Sequence, residues 1–130
     1  MMFQLFTTLP ETQVKNISPV TLAFVGDAVY TLYVREKLVA EHDFSTGTLQ
    51  KLSSSTVSAH GQNELLEKIL PLLTEDELAI FKRGRNAKKP TRSKSATVAE
   101  YNNSTGFEAL LGYLYLTGKY ERLEGLLSGN

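Results

Sequence analysis

Behind Ser18-Pro19, which reads as an N-cap and first helical residue, apolar residues recur at helical spacing through Leu22, Val25, Val29, Leu32, Tyr33 and Leu38. The spacing predicts a helix from Pro19 to about Ala40. Its first half is apolar on nearly every side, the pattern of a central, buried helix. Residues 42 to 47 hold Asp43, Ser45 and Gly47 and read as a turn. A second helical region covers 47 to 70, with a break expected at Ser53-Ser54-Ser55 or at Gly61. Leu65, Leu66, Ile69 and Leu70 form its later apolar face, and Pro71 ends it. Thr74-Glu75-Asp76-Glu77 is a capping-box pattern. The helix it opens runs through Leu78, Ile80 and Phe81 and is expected to dissolve at Gly84. Residues 84 to 96 read as a Gly/Pro/Ser/Lys/Arg loop, and Ala96 to Tyr101 as a short helix. Ser104 or Thr105 then caps a strongly apolar helix to about Thr117, which Gly118 stops. A last amphipathic helix spans Tyr120 to Leu127. No segment alternates with a period of two, so the predicted class is all-α.

Composition narrows the function. At 130 residues the chain reads as one domain, 1–130, large enough for a real core, with no internal repeat or linker. The absence of cysteine excludes disulfides, thiolate zinc sites and cysteine nucleophiles, and fits a reducing compartment. Met1-Met2-Phe3-Gln4-Leu5-Phe6 has no basic n-region, so no signal peptide is expected. The longest apolar stretch, residues 19 to 34, is interrupted by Asp27 and short for a membrane span. These features predict a soluble cytoplasmic protein with no membrane partner.

The zero net charge conceals an asymmetry. Lys82, Arg83, Arg85, Lys88, Lys89, Arg92 and Lys94 form a basic run without an acid. The rest of the chain is correspondingly acidic. Such a concentration makes a directed field suited to a polyanion, although a short charge run can also be a solvated loop.

Two carboxylates stand out against this background. Asp27 lies alone in Leu22-Ala23-Phe24-Val25-Gly26-Asp27-Ala28-Val29-Tyr30, and Glu108 lies in Ser104-Thr105-Gly106-Phe107-Glu108-Ala109-Leu110-Leu111-Gly112. Neither has a cation three or four residues away on its helix. Gly26, Ala28, Ala109 and Gly112 are small, which predicts close packing of the two helices and a shared cleft for the acids. An unpaired carboxylate in an apolar setting is costly unless a metal or a distant cation compensates it. Two of them beside a basic loop point to a hard divalent cation, Mg²⁺ or Mn²⁺, acting on a phosphodiester. The alternative is structural: distant ion pairs, or an acid serving a helix N-terminus. His42 and His60 lack metal-ligand spacing, and no G-x-S-x-G elbow supports a serine hydrolase.

The segment around Asp27 resembles the signature helix of the ribonuclease III family, and more closely that of its short bacterial branch, Mini-ribonuclease III. Arg83-Gly84-Arg85-Asn86-Ala87-Lys88 is similar to that branch's basic loop. The Glu108 segment is similar to its second metal-ligand helix, and Val57-Ser58-Ala59 with Gln62 matches more weakly. The resemblance implies an all-α ribonuclease III-like endonuclease domain. It would act as a homodimer and cut double-stranded RNA with Mg²⁺, leaving 5′-phosphate and 3′-hydroxyl ends. Each subunit would cut one strand. Carried over by position, Asp27 and Glu108 become the catalytic, metal-binding acids, and the substrate becomes the precursor of 23S ribosomal RNA. Phe24 becomes a dimer-interface residue beside the cleft, or else plain core. Val20, Ala23 and Thr105 stand where the broader family has further acids, an absence the Mini branch shares. Thr31 and Asn102-Asn103 also depart from the usual pattern.

The chain ends soon after its last helix, so no double-stranded-RNA-binding domain is expected. Arg83, Arg85, Lys88 and Lys89 are therefore expected to hold RNA through its phosphates. Alternatively, Arg83 and Arg85 pair with acids such as Glu75 or Glu77. Two rival functions remain at this point: a non-catalytic RNA-binding protein on the same fold, and a helical protein-interaction module whose acids are ion pairs.

Overall fold

The computed structural model describes residues 8–88 and 97–129. Among them run seven α-helices and no strand: α1 (Glu11–Lys15), α2 (Pro19–Glu41), α3 (Thr46–Val57), α4 (Ala59–Ile69), α5 (Glu75–Asn86), α6 (Val98–Leu116) and α7 (Tyr120–Leu127). The class is all-α, as the missing alternation predicts. Pro71 sits in a single 3₁₀ turn, Leu70–Leu72, that closes α4. Among the described residues no helix is long and apolar enough to cross a membrane.

Three boundaries differ from the sequence reading, each for a physical reason. The break in the second helical region falls at Ser58, not at Ser53–Ser55 or Gly61. The Ser58 hydroxyl accepts from the Gly61 amide at 3.0 Å and donates to the Ser55 carbonyl at 2.7 Å, so it caps α4 while closing α3. Gly84 does not end α5, which continues to Asn86. A Cβ at Gly84 would lie 2.8 Å from the Gly106 Cα, so the glycine is there to admit α6. Residues 98 to 116 form one helix in place of two. It starts at a capping box in which Thr97 and Glu100 satisfy each other's backbone amides. Ser104 and Thr105 lie inside it, and Thr105 donates back to the Tyr101 carbonyl at 3.1 Å.

The central helix is α6, not α2. Phe107, Ala109, Leu110, Leu111 and Leu114 are fully buried, and α2, α4, α5 and α7 all pack on this one element. By contrast α2 leaves Phe24, Leu32 and Val39 exposed at 80%, 52% and 66%. The two helices touch backbone to backbone. A Cβ on Gly26 would fall 1.7 Å from the Glu108 carbonyl oxygen, and one on Gly112 would fall 2.1 Å from that of Leu22. Gly26 and Gly112 thus provide the close approach expected of the small residues. Ala28 is exposed, and Ala109 faces Gly84 on α5.

Gly118, at φ +76°, turns the chain from α6 into α7. There Arg122 clamps the buried Glu77 with two hydrogen bonds of 2.8 and 2.9 Å and donates to the Leu72 carbonyl at 2.7 Å. Although burial opposes it, the Arg122 guanidinium and the Thr74 amide together hold the Glu77 carboxyl below the usual range. An acid with a lowered pKa stabilises the fold above its ordinary titration range, and that contribution is lost as pH falls through the lowered value. Arg122→Ala is expected to cost about 2 kcal/mol in urea denaturation, the low end for an orphaned buried charge because Arg122 is partly exposed. Most of that loss should vanish in acid. A variant as stable as wild type at pH 7 would show the clamp to be idle.

Candidate active site

Asp27 and Glu108 are brought together by the α2–α6 crossing. The glycine contact places the Glu108 backbone against α2 one residue before Asp27, and the two carboxyl groups are close enough to influence each other electrostatically. Their environments differ. Asp27 is exposed, on the same open face of α2 as Phe24 and Ala28, so its apolar neighbours in sequence are not a buried surround. Glu108 is half-buried, and the cost of desolvation falls on it. Burial, with the Asp27 carboxyl adding to it, pushes Glu108 up to about 8 against a smaller opposing pull from Gln62. A carboxyl in that condition is short of positive charge.

Support for Glu108 comes from α4. Gln62 is 2% exposed, and its amide nitrogen donates to Glu108 Oε2 at 3.1 Å and to the Val57 carbonyl at 2.9 Å. Its amide oxygen accepts from the Ser104 hydroxyl at 2.7 Å. His60, on the same helix, pairs with Glu100 at 2.6 Å. That hydrogen bond raises His60 above its ordinary value and lowers Glu100. Sequence reading placed Gln62 only in a weak motif and missed its contact with Glu108. A glutamine among the apolar residues of an amphipathic helix was the available signal. At the same α2–α6 crossing Phe107 meets Tyr30 edge-on, with ring centroids 5.2 Å apart, and helps hold α2 in place.

The basic residues occupy the end of α5 and the stretch just beyond it. Arg83 and Arg85 are therefore helical, and Lys88 is exposed past the helix end. Gly84 seats this end of α5 on α6 beside Thr105 and Ala109, within one turn of Glu108. Arg83 donates to the Lys15 carbonyl at 3.0 Å, and Arg85 lies over the Phe81 ring at 5.8 Å and donates to the Asn86 side chain. Glu77, offered as a partner for them, is taken by Arg122. Lys89 lies outside the described residues. Phe24 is 80% exposed, so in a single chain it is not core. Thr31, Asn102 and Asn103 are half-buried, while Ala23 and Thr105 are buried in helix contacts.

The pair of acids suits a divalent cation. Mg²⁺ is commonly held by one or two carboxylates, with water and substrate oxygens completing its shell. No group of three or more His, Cys, Asp or Glu forms a metal cluster among the described residues, so this pair is the whole acidic donor set they supply.

The chain is similar to known proteins in sequence and in fold. The Ribonuclease III domain family matches residues 20–119. The chain is 47% identical over 119 residues to a Mini-ribonuclease 3 of Thermoanaerobacter sp. (strain X514), covering 92% of this chain and 84% of that one. It is 44% identical over 117 residues to a Mini-ribonuclease 3 of Streptococcus pneumoniae, covering 88% and 91%. A Fusobacterium nucleatum protein solved by crystallography superimposes with a TM-score of 0.81 at 33% identity, over 89% of this chain and 93% of that one. Matched along most of its length in sequence and in fold, the chain belongs to the ribonuclease III family, in its Mini-ribonuclease III branch.

Proposed function

We propose that this protein is a Mg²⁺-dependent endoribonuclease that cuts double-stranded RNA as a cytoplasmic homodimer, with the precursor of 23S ribosomal RNA as its biological substrate. Endoribonuclease activity is that of the family. The observation that carries the metal assignment is the Asp27–Glu108 carboxyl pair, one member of it pushed up to about 8 by burial and by the neighbouring acid. Asp27 and Glu108 would hold Mg²⁺, or Mn²⁺ in its place. When bound, such an ion neutralises phosphodiester charge and makes water a better nucleophile. The chain itself supplies placement. Its helices fix two acids side by side at the α2–α6 crossing, and its basic residues attract the phosphate backbone. A pure RNA binder gains nothing from acids turned toward phosphate.

The test is incubation of a generic RNA duplex with the protein and Mg²⁺. Cuts in both strands that leave 5′-phosphate and 3′-hydroxyl ends are expected. Tight binding without cleavage, of this duplex and of the precursor ribosomal duplex alike, would instead identify an RNA-binding protein.

The clamp assignment predicts a salt effect. Replacing Arg83, Arg85, Lys88 and Lys89 by Ala should weaken duplex binding and lower the log–log salt slope by about 1 for each lost phosphate contact. An unchanged slope would remove the clamp role. Arg83 also ties α5 to the end of α1, so its single variant should lose some stability as well.

The homodimer reading is supported by the open face of α2. Phe24, Ala28 and Leu32 stand at successive four-residue steps on the helix that carries Asp27. A second copy of the chain covering this stripe would bury Phe24 beside the cleft of each subunit. Burying a Phe contributes roughly 1.5–3 kcal/mol, and a two-fold interface counts it twice. Phe24→Glu is therefore expected to raise the dimer dissociation constant roughly 100-fold or more in analytical ultracentrifugation. A variant that sediments as wild type would move the interface elsewhere.

A further inference from the structure

We infer that Gln62 is a positioning residue for Glu108, and that α4 is held in register against α6 in order to deliver it. The inference rests on the metal-site reading above. The orientation of the Gln62 amide is set by its partners. The Val57 carbonyl can only accept, so the amide nitrogen must face it, and the oxygen is left for the Ser104 hydroxyl. The second amide proton then points at Glu108 Oε2. Both N–H donors and the oxygen are engaged, inside a site that leaves the residue 2% exposed. A side chain held at three points cannot turn away from the carboxylate without breaking buried hydrogen bonds.

The three anchors come from two helices, α3 and α6, on either side of α4 in the chain. Val57 is the last residue of α3, Gln62 lies in α4, and Ser104 and Glu108 lie in α6. On α6 the residues facing α4 are Glu100, Ser104 and Glu108, spaced four apart. His60 takes the first, and Gln62 takes the second and third. This ladder fixes the sliding register of the two helices, and its last rung is the acid assigned to the metal. An N–H donor aimed at a carboxylate favours its charged form, the form that binds a cation. Residues that orient metal ligands in this way typically change metal affinity by roughly 10–100-fold when removed.

The experiment measures Mn²⁺ binding to the RNA-free protein, by electron paramagnetic resonance of the free ion, with thermal unfolding of each variant alongside. Gln62→Leu keeps the volume and removes the amide. It is expected to weaken Mn²⁺ binding by roughly 10–100-fold. Ser104→Ala releases only the amide oxygen and should weaken binding roughly fivefold, the worth of one net hydrogen bond. If Gln62→Leu folds and binds Mn²⁺ as tightly as wild type, the inference is overturned. It is equally overturned if both variants lose thermal stability while affinity stays the same, since that pattern belongs to a purely structural residue. Should Gln62→Leu not fold, Ser104→Ala decides: unchanged affinity overturns the positioning role and weakened affinity supports it. Failure of wild type to bind Mn²⁺ is a separate result. It would overturn the metal-site reading and this inference with it, whereas tight binding indifferent to Gln62 and Ser104 overturns only the inference.

Discussion

Glu108→Gln is expected to abolish cleavage and at the same time to make the metal-free protein more stable. The two effects have one origin. Folding places the Glu108 carboxyl in a half-buried position beside Asp27, and it titrates near 8 instead of 4.5. The unfolded chain releases this proton at the lower value while the folded chain keeps it. Stability therefore falls as pH rises from 4.5 to about 8 and levels off above. Glutamine removes that dependence. Its amide oxygen can still accept from Gln62, and its amide nitrogen can donate to Asp27. Replacing a poorly compensated buried charge by a neutral group of similar shape commonly gains about 1–3 kcal/mol, or roughly 5 °C in midpoint for a chain of this size. The catalytic cost runs the other way. Loss of a metal-holding carboxylate should lower the cleavage rate by a factor on the order of 10³ or more. Asp27→Asn should lose as much activity with a smaller gain in stability, because Asp27 is exposed. Thermal melts without metal at pH 5 and pH 8, beside a duplex cleavage assay, check both halves. A Glu108→Gln protein that cuts RNA at the wild-type rate would sink the site assignment. One that melts lower than wild type at pH 8 would mean that ionised Glu108 is compensated after all.

Gly26→Ala is expected to unseat α2 from α6 with a single methyl group. The added Cβ would sit 1.7 Å from the Glu108 carbonyl oxygen and 2.9 Å from the Gly112 amide. Both obstacles are backbone, so no side-chain rotation relieves the clash, and α2 must move off α6 along their main contact. A loss of about 3 kcal/mol or more is expected, roughly 10 °C in thermal midpoint. Because the obstructing oxygen belongs to Glu108 itself, the separation also moves the two acids apart. Activity should then fall in the fraction that remains folded. Gly47→Ala is the internal control. It lies in the first turn of α3 with nothing within 4 Å of the added methyl. There the same substitution only restricts the unfolded chain and should stabilise by about 0.5 kcal/mol. Urea denaturation of the two variants gives opposite signs if the helix crossing is as close as the structure shows. Equal stability of Gly26→Ala and wild type would contradict it.

Most helix ends were legible before the fold was known. The Thr74–Glu77 box, the stop at Gly118 and the span Tyr120–Leu127 all appear where the sequence places them. Each depends on groups a few residues apart, so the sequence already contains both partners. Gly84, Ser104 and Thr105 misled for the converse reason. In a local reading glycine ends a helix and serine or threonine starts one. Here Gly84 admits the backbone of α6 and Ser104 holds the amide of Gln62, tasks set by residues far along the chain.

The site divides along the same line. Sequence by itself determined that two carboxylates lie on apolar helices with no local cation, and that basic residues cluster between Lys82 and Lys94. It also determined that glycines on both acid-bearing helices permit close contact. Tertiary structure decided which helix is central, that Asp27 stands in the open while Glu108 bears the cost of burial, and that Phe24 is exposed. It also decided that Gln62, 46 residues away, holds Glu108. Spacing along one helix fixes what shares a face of that helix. What that face meets depends on which helices cross and how closely they approach, and both are settled only when all the helices compete to bury their apolar sides against one another.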